Sequence, residues 1–365
     1  MHAALLANSA WLDDELTAFQ QLTVGLVDEQ VRLTRVLPTA VGGSGLGMGD
    51  SSLLGKRITW AESRLAAVNH RRLVKLCDAL DADGVDLLHA LHGDLWQPAM
   101  VVGDQLDLPV VFTANSAADV RQAGKLVKQL NPTRCVFTAT TEPIAEDLRL
   151  RTQNLVRVET VVPGVHVGDP KLHQRTAGGE EAPCVAVCGD GNMDDQYQQF
   201  LEGVRLVVDD HPEMQFFFDG QLTDQHQLWR AVKKMDLLGN ASFVPRRRGH
   251  REMLLMADAI VHPQELGRAR GVTLLAMAHA VPVLAAADEM LDYLVPDHTA
   301  WVVEEPDAEA WADVLLRLVR APDAAADLGM RSRAWVHEER LASDQIARTL
   351  MLYRGMAGEP LPFAG

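Results

Sequence analysis

Short runs of apolar and β-branched residues alternate along the chain with longer segments in which apolar residues recur every three or four positions. The short runs are typical of buried strands, and the longer segments are typical of helices that cover a sheet. Because the two kinds of segment alternate throughout, the pattern predicts βα units on parallel sheets, an α/β fold. The strands of the first half are predicted near Ala3–Leu6, Val31–Arg35, Val85–His89, Val110–Thr113, Cys135–Ala139 and Val158–Val162. Those of the second half are predicted near Val185–Val187, Phe216–Phe218, Ser242–Val244, Ala259–His262, Val281–Ala285 and Trp301–Val303.

Two segments of the second half show helical periodicity most clearly. Their apolar residues fall on one face of a helix, which should cover the sheet. The two faces consist of Phe200, Leu201, Val204, Val207 and Val208, and of Trp311, Val314, Leu315, Leu318 and Val319.

A polar stretch at Gly168–Pro183 separates the two sets of strands, and Val41–Gly55, rich in Gly and Ser, is predicted to be a loop. A chain of 365 residues also exceeds the length at which one core usually stops growing, about 250–300 residues. We therefore predict a Rossmann-like, doubly wound domain over residues 1–170, a second over residues 171–342, and a terminal helical segment over residues 343–365. Two such domains are expected to face each other across a cleft, with a ligand held at the carboxyl ends of both sheets.

Composition excludes several classes of protein. A chain with 47% hydrophobic and 23% charged residues is neither disordered nor collagen-like. Its 50 acidic and 34 basic residues give a net charge of −16, which argues against nucleic acid or an anionic membrane as a partner. The four cysteines form no CxxC pair and predict buried free thiols rather than a zinc site or a disulfide framework: Cys77, Cys135, Cys184 and Cys188.

The chain shows no sign of a membrane or secretory segment. Its N-terminus has no basic n-region, and the apolar stretch there is too short for a signal peptide. No run approaches the ~18 apolar residues of a membrane-spanning helix. The cytoplasm is therefore the expected location.

Several segments are similar to motifs of one enzyme family. Ala257–Pro263 (ADAIVHP) is similar to the family's strand "AADVFVLPS", and Ala276–Val283 (AMAHAVPV) to its helix and strand "EAMACGLPVVA". In the first half, Asp86–His92, Pro109–Thr113 and Val162–Val165 are similar to "DVVHAHD", "PVVVT" and "IPNGV". Over nearly its whole length the chain resembles the GT-B glycosyltransferases, specifically the large retaining family numbered four. The resemblance implies the GT-B architecture, with the terminal helix crossing back to the first domain.

The same resemblance implies a nucleotide-sugar substrate, but the ligand-facing positions depart from the family's pattern. Asp190 stands where the family has an Arg that binds the diphosphate, and Asp195 stands at or near its Lys. Gly267 and Leu275 replace the two carboxylates of the Glu-x7-Glu signature, and Asn115 replaces a His near the transferred sugar. Asn115 can hydrogen-bond a sugar hydroxyl but cannot transfer a proton near neutral pH.

Further acidic residues surround this predicted donor site. Ala287–Met290 replaces a glycine-rich turn there, and in the first domain Asn8–Glu15 replaces the Gly-rich acceptor loop. Glu265 could substitute for a missing carboxylate if its loop shifts. A divalent cation could bridge Asp190, Asp194 and Asp195 to phosphate, or these residues could form a solvated acidic loop. No cofactor and no metal ligand is assigned.

Arginines near the carboxyl ends of two neighbouring predicted strands point to an anionic ligand. Arg246 and Arg247 follow Ser242–Val244, and Arg268 and Arg270 follow the strand that ends at Pro263. Guanidinium groups bind phosphate through paired hydrogen bonds. These four arginines, with Gly189 and Glu265, are the predicted nucleotide-binding residues. Alternatively, the arginines pair with Asp190, Asp194, Asp195 or Glu289 across the cleft.

Two functions remain open. The first is a glycosyltransferase that moves a sugar from a nucleotide-sugar to an acceptor hydroxyl, with the arginines binding the diphosphate and Asn115 the sugar. The second is a GT-B pseudoenzyme that has lost donor binding and acts as a binding, regulatory or scaffolding module, with a protein partner. His89 and His92 are expected to be structural.

Overall fold

The computed structural model describes residues 1–38, 54–60, 66–168, 183–190, 192–219, 226–244, 253–254 and 256–358. The chain divides into two compact units, Met1–Gly164 with Ala342–Gly365, and Val165–Leu341. Most of the polar stretch Gly168–Pro183 and of the loop Val41–Gly55 lies outside the described residues.

The first unit contains a seven-stranded parallel sheet in the order β3-β2-β1-β4-β5-β6-β7. Its strands are β1 His2–Leu6, β2 Arg32–Leu37, β3 Lys56–Thr59, β4 Leu87–Ala90, β5 Val110–Ala114, β6 Cys135–Ala139 and β7 Arg157–Thr160. Its helices are α1 Ser9–Asp28, α2 Ala66–Asp83, α3 Trp96–Leu106, α4 Ala117–Leu126, α5 Glu142–Arg151 and, from the end of the chain, α11 Ala342–Met356. The strand order reverses at β1, so right-handed crossovers place helices on both faces of the sheet.

The terminal helix α11 packs tightly on α1. A Cβ atom at Gly25 of α1 would lie 2.0 Å from Cδ1 of Ile346, so glycine is what allows the two helices to approach. Leu350, Leu352 and Tyr353 of α11 belong to the same buried core as Leu22 and other residues of α1.

The second unit contains a six-stranded parallel sheet in the order β10-β9-β8-β11-β12-β13. Its strands are β8 Cys184–Val187, β9 Gln215–Asp219, β10 Ala241–Val244, β11 Ala259–His262, β12 Val283–Ala286 and β13 Trp301–Val303. Its labelled helices are α6 Asp195–Asp210, α7 His226–Lys234, α8 Gly271–Ala278, α9 Ala308–Arg320 and α10 Pro322–Glu339.

Both faces of the second sheet are covered. Val185 and Val187 of β8 belong to the core on one face, whereas Ala186 and Cys188 belong to the core on the other. This alternation explains why β8 is a continuous apolar run. The predicted apolar face of α6 is confirmed, since its five residues are at most 6% exposed, and each contributes about 1.5–3 kcal/mol by burial.

The predicted α/β class with two doubly wound parallel sheets is confirmed. The four cysteines are buried free thiols, as predicted. Within the described residues, every helix is too short or too polar to cross a bilayer.

Candidate functional site

The second sheet reverses its strand order at β8, which has β9 on one side and β11 on the other. The loops after β8 and β11 therefore diverge, and a crevice opens between them at the carboxyl edge. Gly189 and Asp190 follow β8, and Gln264 follows β11. In a parallel α/β unit this crevice is the usual place for a ligand, so it is the candidate donor site.

The side chain of Gln264 occupies this crevice. It is 3% exposed. Its Nε2 donates hydrogen bonds to the Asn192 carbonyl oxygen at 3.1 Å and to Asp194 Oδ2 at 2.7 Å. Its Oε1 accepts one from the Asp190 backbone N–H at 3.3 Å. Gln264 therefore joins β11 to the loop that precedes α6.

The acidic residues of that loop stabilise the loop itself. Asp190 accepts hydrogen bonds from the backbone N–H of Asn192 at 2.8 Å and from its side-chain amide at 2.7 Å. Asp194 is the N-cap of α6 and accepts from the Tyr197 N–H at 2.8 Å. Asp195 is exposed in the first turn of α6. The described residues include no group of three or more acidic, His or Cys side chains placed to hold a metal ion.

Gly189 is packed against its neighbours. A Cβ atom there would lie 2.5 Å from Cε2 of Tyr197 and 3.0 Å from Oε1 of Gln264. Glycine is therefore required for the close approach of α6 and Gln264 to the end of β8.

The arginines predicted to bind phosphate lie in different environments. Arg270, just before α8, is 4% exposed; its Nη1 donates to the Cys188 carbonyl oxygen at 2.6 Å, and its Nη2 lies 3.9 Å from Asp219 Oδ2. Arg270 thus forms a buried ion pair with an acid at the end of β9. Arg268 is half-buried. Arg246 and Arg247 lie outside the described residues.

A small pocket lies beside the N-terminus of α8. His262, Gln264, Arg268, Thr273 and Asp288 contribute to its lining, and its free volume of about 10 Å³ has room for a single water molecule. His262 is held by both ring nitrogens: Nδ1 lies 3.0 Å from the Cys188 carbonyl oxygen and Nε2 lies 2.8 Å from Thr273 Oγ1. The side chain of Arg270, the residue before α8, makes no capping hydrogen bond to the helix.

Two carboxyl groups near this pocket hold protons more tightly than usual. Burial raises the pKa of Asp288, and the nearby negative charge of Glu289 raises it further, although its oxygens accept the N–H groups of Gly267 at 2.8 Å and Met290 at 3.1 Å. The pKa of Glu265 is raised by partial burial of its carboxyl group and by the charges of Asp288 and Glu289. The Glu265 backbone N–H donates to Gln196 Oε1 at 2.8 Å.

The first sheet reverses its order between β1 and β4, and a polar cluster lies at that point. Asn8 follows β1, while His92 and Asp94 follow β4. Asn8 Nδ2 lies 3.2 Å from His92 Nδ1 and donates to Asp94 Oδ2 at 3.1 Å. His92 also accepts from the Asp94 backbone N–H at 3.3 Å and caps a 3-10 turn over Gly93–Leu95.

Asn115, the predicted sugar contact, is 8% exposed. Its Nδ2 donates to the Leu91 carbonyl oxygen at 2.8 Å, and its backbone N–H donates to Asp119 Oδ2 at 2.8 Å. Gly93 fits under the same carboxylate, because a Cβ there would lie 2.3 Å from Asp119 Oδ1. Asn115 and Asp119 therefore join the loops after β4 and β5.

His89 lies deeper in the same sheet. Its Nδ1 is 2.5 Å from Tyr353 Oη of α11, and its Nε2 is 2.6 Å from Thr113 Oγ1, which is bonded in turn to Thr138. Burial lowers the pKa of the His89 imidazole to about 3. A neutral imidazole with a hydrogen bond at each ring nitrogen holds the sheet and the terminal helix together.

Sequence reasoning did not single out Gln264, Asp219 or the role of Asn8. Asp219 ends β9, and Gln264 lies two residues after β11. Their position at the carboxyl ends of strands was the only signal that the sequence offered for them. The partners of Gln264 lie about seventy residues away along the chain, and only the fold brings them together.

Comparisons with known proteins agree with this architecture. Residues 170–335, somewhat less than half of the chain, match the family model described as "Glycosyl transferases group 1". No curated protein matches the sequence.

Solved structures match over nearly the whole chain at low identity. Sucrose-phosphate synthase from Thermosynechococcus elongatus is 16% identical, with a TM-score of 0.76 over 98% of this chain and 99% of that one. Anabaena HepE in complex with UDP-glucose is 12% identical, with a TM-score of 0.75 over 96% and 99%. A glycosyltransferase from Rickettsia africae is 12% identical, with a TM-score of 0.72 over 97% and 98%. At such identities the likeness shows the fold. The chain therefore has the GT-B fold, and its residues 170–335 match the group 1 glycosyl transferases.

Proposed function

We propose that the protein is a glycosyltransferase that transfers a sugar from a nucleotide-sugar donor to an acceptor hydroxyl. The observation that carries the proposal is the match of residues 170–335 to group 1 glycosyl transferases. The fold supports it, since Anabaena HepE shares that fold and was solved with UDP-glucose. We also propose a cytoplasmic location, which fractionation of cells would test.

The N-terminus of α8 is the proposed seat of the donor diphosphate. Arg270, the residue before this helix, does not cap it with its side chain, and a helix N-terminus attracts anions through its dipole. Arg268 lines the pocket beside it. Positive charge there would stabilise the nucleoside diphosphate as the bond to the sugar breaks. Arg246 and Arg247 are proposed to add to this charge, and Asn115 to contact the sugar or the loop that holds it.

Isothermal titration calorimetry with UDP, GDP and ADP, each with and without Mg²⁺, tests this proposal. We expect micromolar binding of one nucleotide, weakened about tenfold or more by Arg268→Ala, since a charge-assisted hydrogen bond contributes about 1.5–3 kcal/mol. Arg230→Ala, at an exposed position of α7, is the matched control and should leave affinity unchanged. A dependence on Mg²⁺ would assign phosphate binding to Asp190 and its neighbours. Absence of binding by every nucleotide would refute the proposal.

A second candidate is a GT-B pseudoenzyme that serves as a binding or scaffolding module for a protein partner. Gln264 and Arg270 favour it, because both are buried and bonded within the second unit at the candidate donor site. Under this reading, hydrogen exchange of residues 188–196 is slow and is unchanged by millimolar UDP. Protection of that loop by UDP would exclude the second candidate.

A further inference from the structure

The outward face of α4 carries three cations without an acidic partner. Arg121, Lys125 and Lys128 are exposed, and within the part of the chain that the structure describes none of them forms an ion pair. They recur every three or four residues along α4 and the 3-10 turn that follows it, Val127–Gln129, so they lie along one side of the helix. The acid of α4, Asp119, is buried. We call Arg121, Lys125 and Lys128 the basic stripe.

A stripe of unpaired cations is unexpected in this acidic chain. Acidic residues outnumber basic ones by 50 to 34, so a cation usually has an acid nearby. Other cations of the first unit do pair with acids: Arg32, Arg134, Arg149, Arg151 and Arg157. Like charges three or four residues apart on a helix repel each other. An acidic surface from outside the chain would relieve that repulsion in the basic stripe.

Two exposed leucines lie at the neighbouring end of α5. A Cβ atom at Gly124 of α4 would lie 3.6 Å from the Arg151 carbonyl oxygen, so the end of α5 lies beside α4. Leu150 is 76% exposed and Leu155 is 51% exposed. The turn between them is fixed by backbone bonds, such as that from the Gln153 N–H to the Leu150 carbonyl oxygen at 3.2 Å. Exposed apolar side chains next to charged ones are typical of a protein-binding surface.

The same chain carries complementary charge on α9 of the second unit. Glu309 and Asp313 lie one turn apart on this helix, and Glu304 and Glu305 precede it. All four are exposed, and among the described residues no cation pairs with them. Glu309 and Asp313 are four residues apart, as are the first two cations of the basic stripe, which is about 6 Å along a helix axis. We call these four residues the acidic face. Every copy of the chain therefore carries both members of an electrostatically complementary pair.

We propose that the basic stripe, together with Leu150 and Leu155, binds the acidic face of a second copy of this chain. Because single exposed ion pairs contribute little and are screened by salt, the contact should be weak and should depend strongly on ionic strength. The two surfaces differ, so the contact is heterologous. The proposal does not depend on nucleotide binding at the candidate donor site.

Sedimentation equilibrium of the full chain is the first test. We expect association that increases with protein concentration at about 20 mM NaCl. It should weaken by about tenfold or more at about 500 mM NaCl, where the Debye length falls to about 4 Å. A protein that stays monomeric at low salt would overturn the proposal, and so would association that salt does not change.

An exchange of charges identifies the two surfaces. Arg121→Glu with Lys125→Glu makes both surfaces acidic, whereas Glu309→Lys with Asp313→Lys makes both basic. Neither double variant should associate by itself. An equal mixture of the two should associate, because each surface of one variant then meets the opposite charge on the other. A mixture that stays monomeric would contradict the pairing of these two surfaces.

Arg230→Glu with Lys234→Glu is the matched control. These two cations are also exposed and four residues apart, on α7, so the net charge changes equally at a different surface. The control should associate like the unsubstituted protein. An equal loss of association in the control and in the Arg121→Glu, Lys125→Glu variant would show a general effect of net charge and would refute the proposal.

Leu150→Asn tests the apolar part of the surface. Association should weaken by about tenfold or more, since burial of one leucine is lost, while the melting temperature stays the same because Leu150 is exposed in the single chain. Unchanged association would remove the leucines from the contact. Anionic phospholipid vesicles distinguish another occupant: a monomeric protein that binds them through the basic stripe would assign this surface to a membrane and overturn the proposal.

Discussion

The buried imidazole of His89 should make the first unit less stable in mild acid. Its pKa is lowered by burial from 6.5 to about 3. Between these values the unfolded chain binds a proton that the folded chain does not. Stability therefore falls as the pH drops below about 6.5, and the loss continues until the folded-state pKa is reached.

The size of the effect follows from the two pKa values. A pH of 5 is 1.5 units below the pKa of 6.5 of the unfolded imidazole, which is therefore protonated, whereas the folded imidazole is still almost fully neutral. Since one pKa unit corresponds to about 1.36 kcal/mol, His89 should lower the free energy of unfolding by about 2 kcal/mol between pH 7 and pH 5.

His89→Gln isolates this contribution, because glutamine can bond both neighbouring hydroxyl groups but does not titrate. Urea unfolding, monitored by circular dichroism at pH 7 and at pH 5, measures this contribution. The free energy of unfolding is taken from the transition whose midpoint the substitution shifts. The unsubstituted protein should lose about 2 kcal/mol more than the variant between the two pH values. All other titrating groups cancel in this comparison. An equal loss in the two proteins would refute the reasoning, because His89 would then titrate alike in the folded and unfolded chain.

Three further substitutions test the packing around the two candidate sites by calorimetric unfolding. Arg270→Met should lower the free energy of unfolding by about 3 kcal/mol or more, because it leaves a buried acid without its positive partner. Arg268→Met should lower it by less than about 1 kcal/mol. Equal losses would contradict the buried ion pair of Arg270. Gly93→Ala should lower the free energy of unfolding by about 1–3 kcal/mol, because the added methyl group overlaps a buried carboxylate. Gly355→Ala, in a helix with open space around it, should raise the free energy of unfolding by about 0.5–1 kcal/mol. An unchanged stability of the Gly93→Ala protein would contradict the close contact between Gly93 and Asp119. Tyr353→Phe should cost about 1–3 kcal/mol, since a buried imidazole nitrogen loses its partner; unchanged stability would show that the bond contributes nothing.

Sequence periodicity was most accurate where strands are buried on both faces. Cys135–Ala139, Ala259–His262 and Trp301–Val303 have the predicted bounds, since an uninterrupted apolar run ends where the sheet ends. The strand Lys56–Thr59 was missed because it is a half-exposed edge strand with two basic residues, and charge on an edge strand hides the pattern. The strand predicted from Val281 begins at Val283 instead. The Val281 N–H bonds Ala276 at the end of α8, and Pro282 has no N–H to give the sheet.

The side-chain arrangement at the carboxyl edge of the second sheet could not be predicted from the sequence pattern. Because Arg270 follows a strand in the sequence, we predicted that it lies at the carboxyl edge of the sheet with its side chain open to a ligand. Instead, its side chain turns beneath the end of β8 toward Cys188, which is 82 residues away in sequence. The predicted alternative paired the arginines with Asp190, Asp194, Asp195 or Glu289. Arg270 pairs instead with Asp219, which no local pattern connects to it.

At both candidate edges the polar side chains bond other groups of the protein. At the described part of the second sheet's edge, the side chains of Gln264 and Asp194 bond each other, and Arg270 bonds the Cys188 carbonyl oxygen. At the first sheet's edge, Asn8 bonds His92 and Asp94, and Asn115 bonds the Leu91 carbonyl oxygen. A ligand that binds to these side chains at either edge therefore has to replace hydrogen bonds that the protein already makes, which reduces the net gain from each new contact.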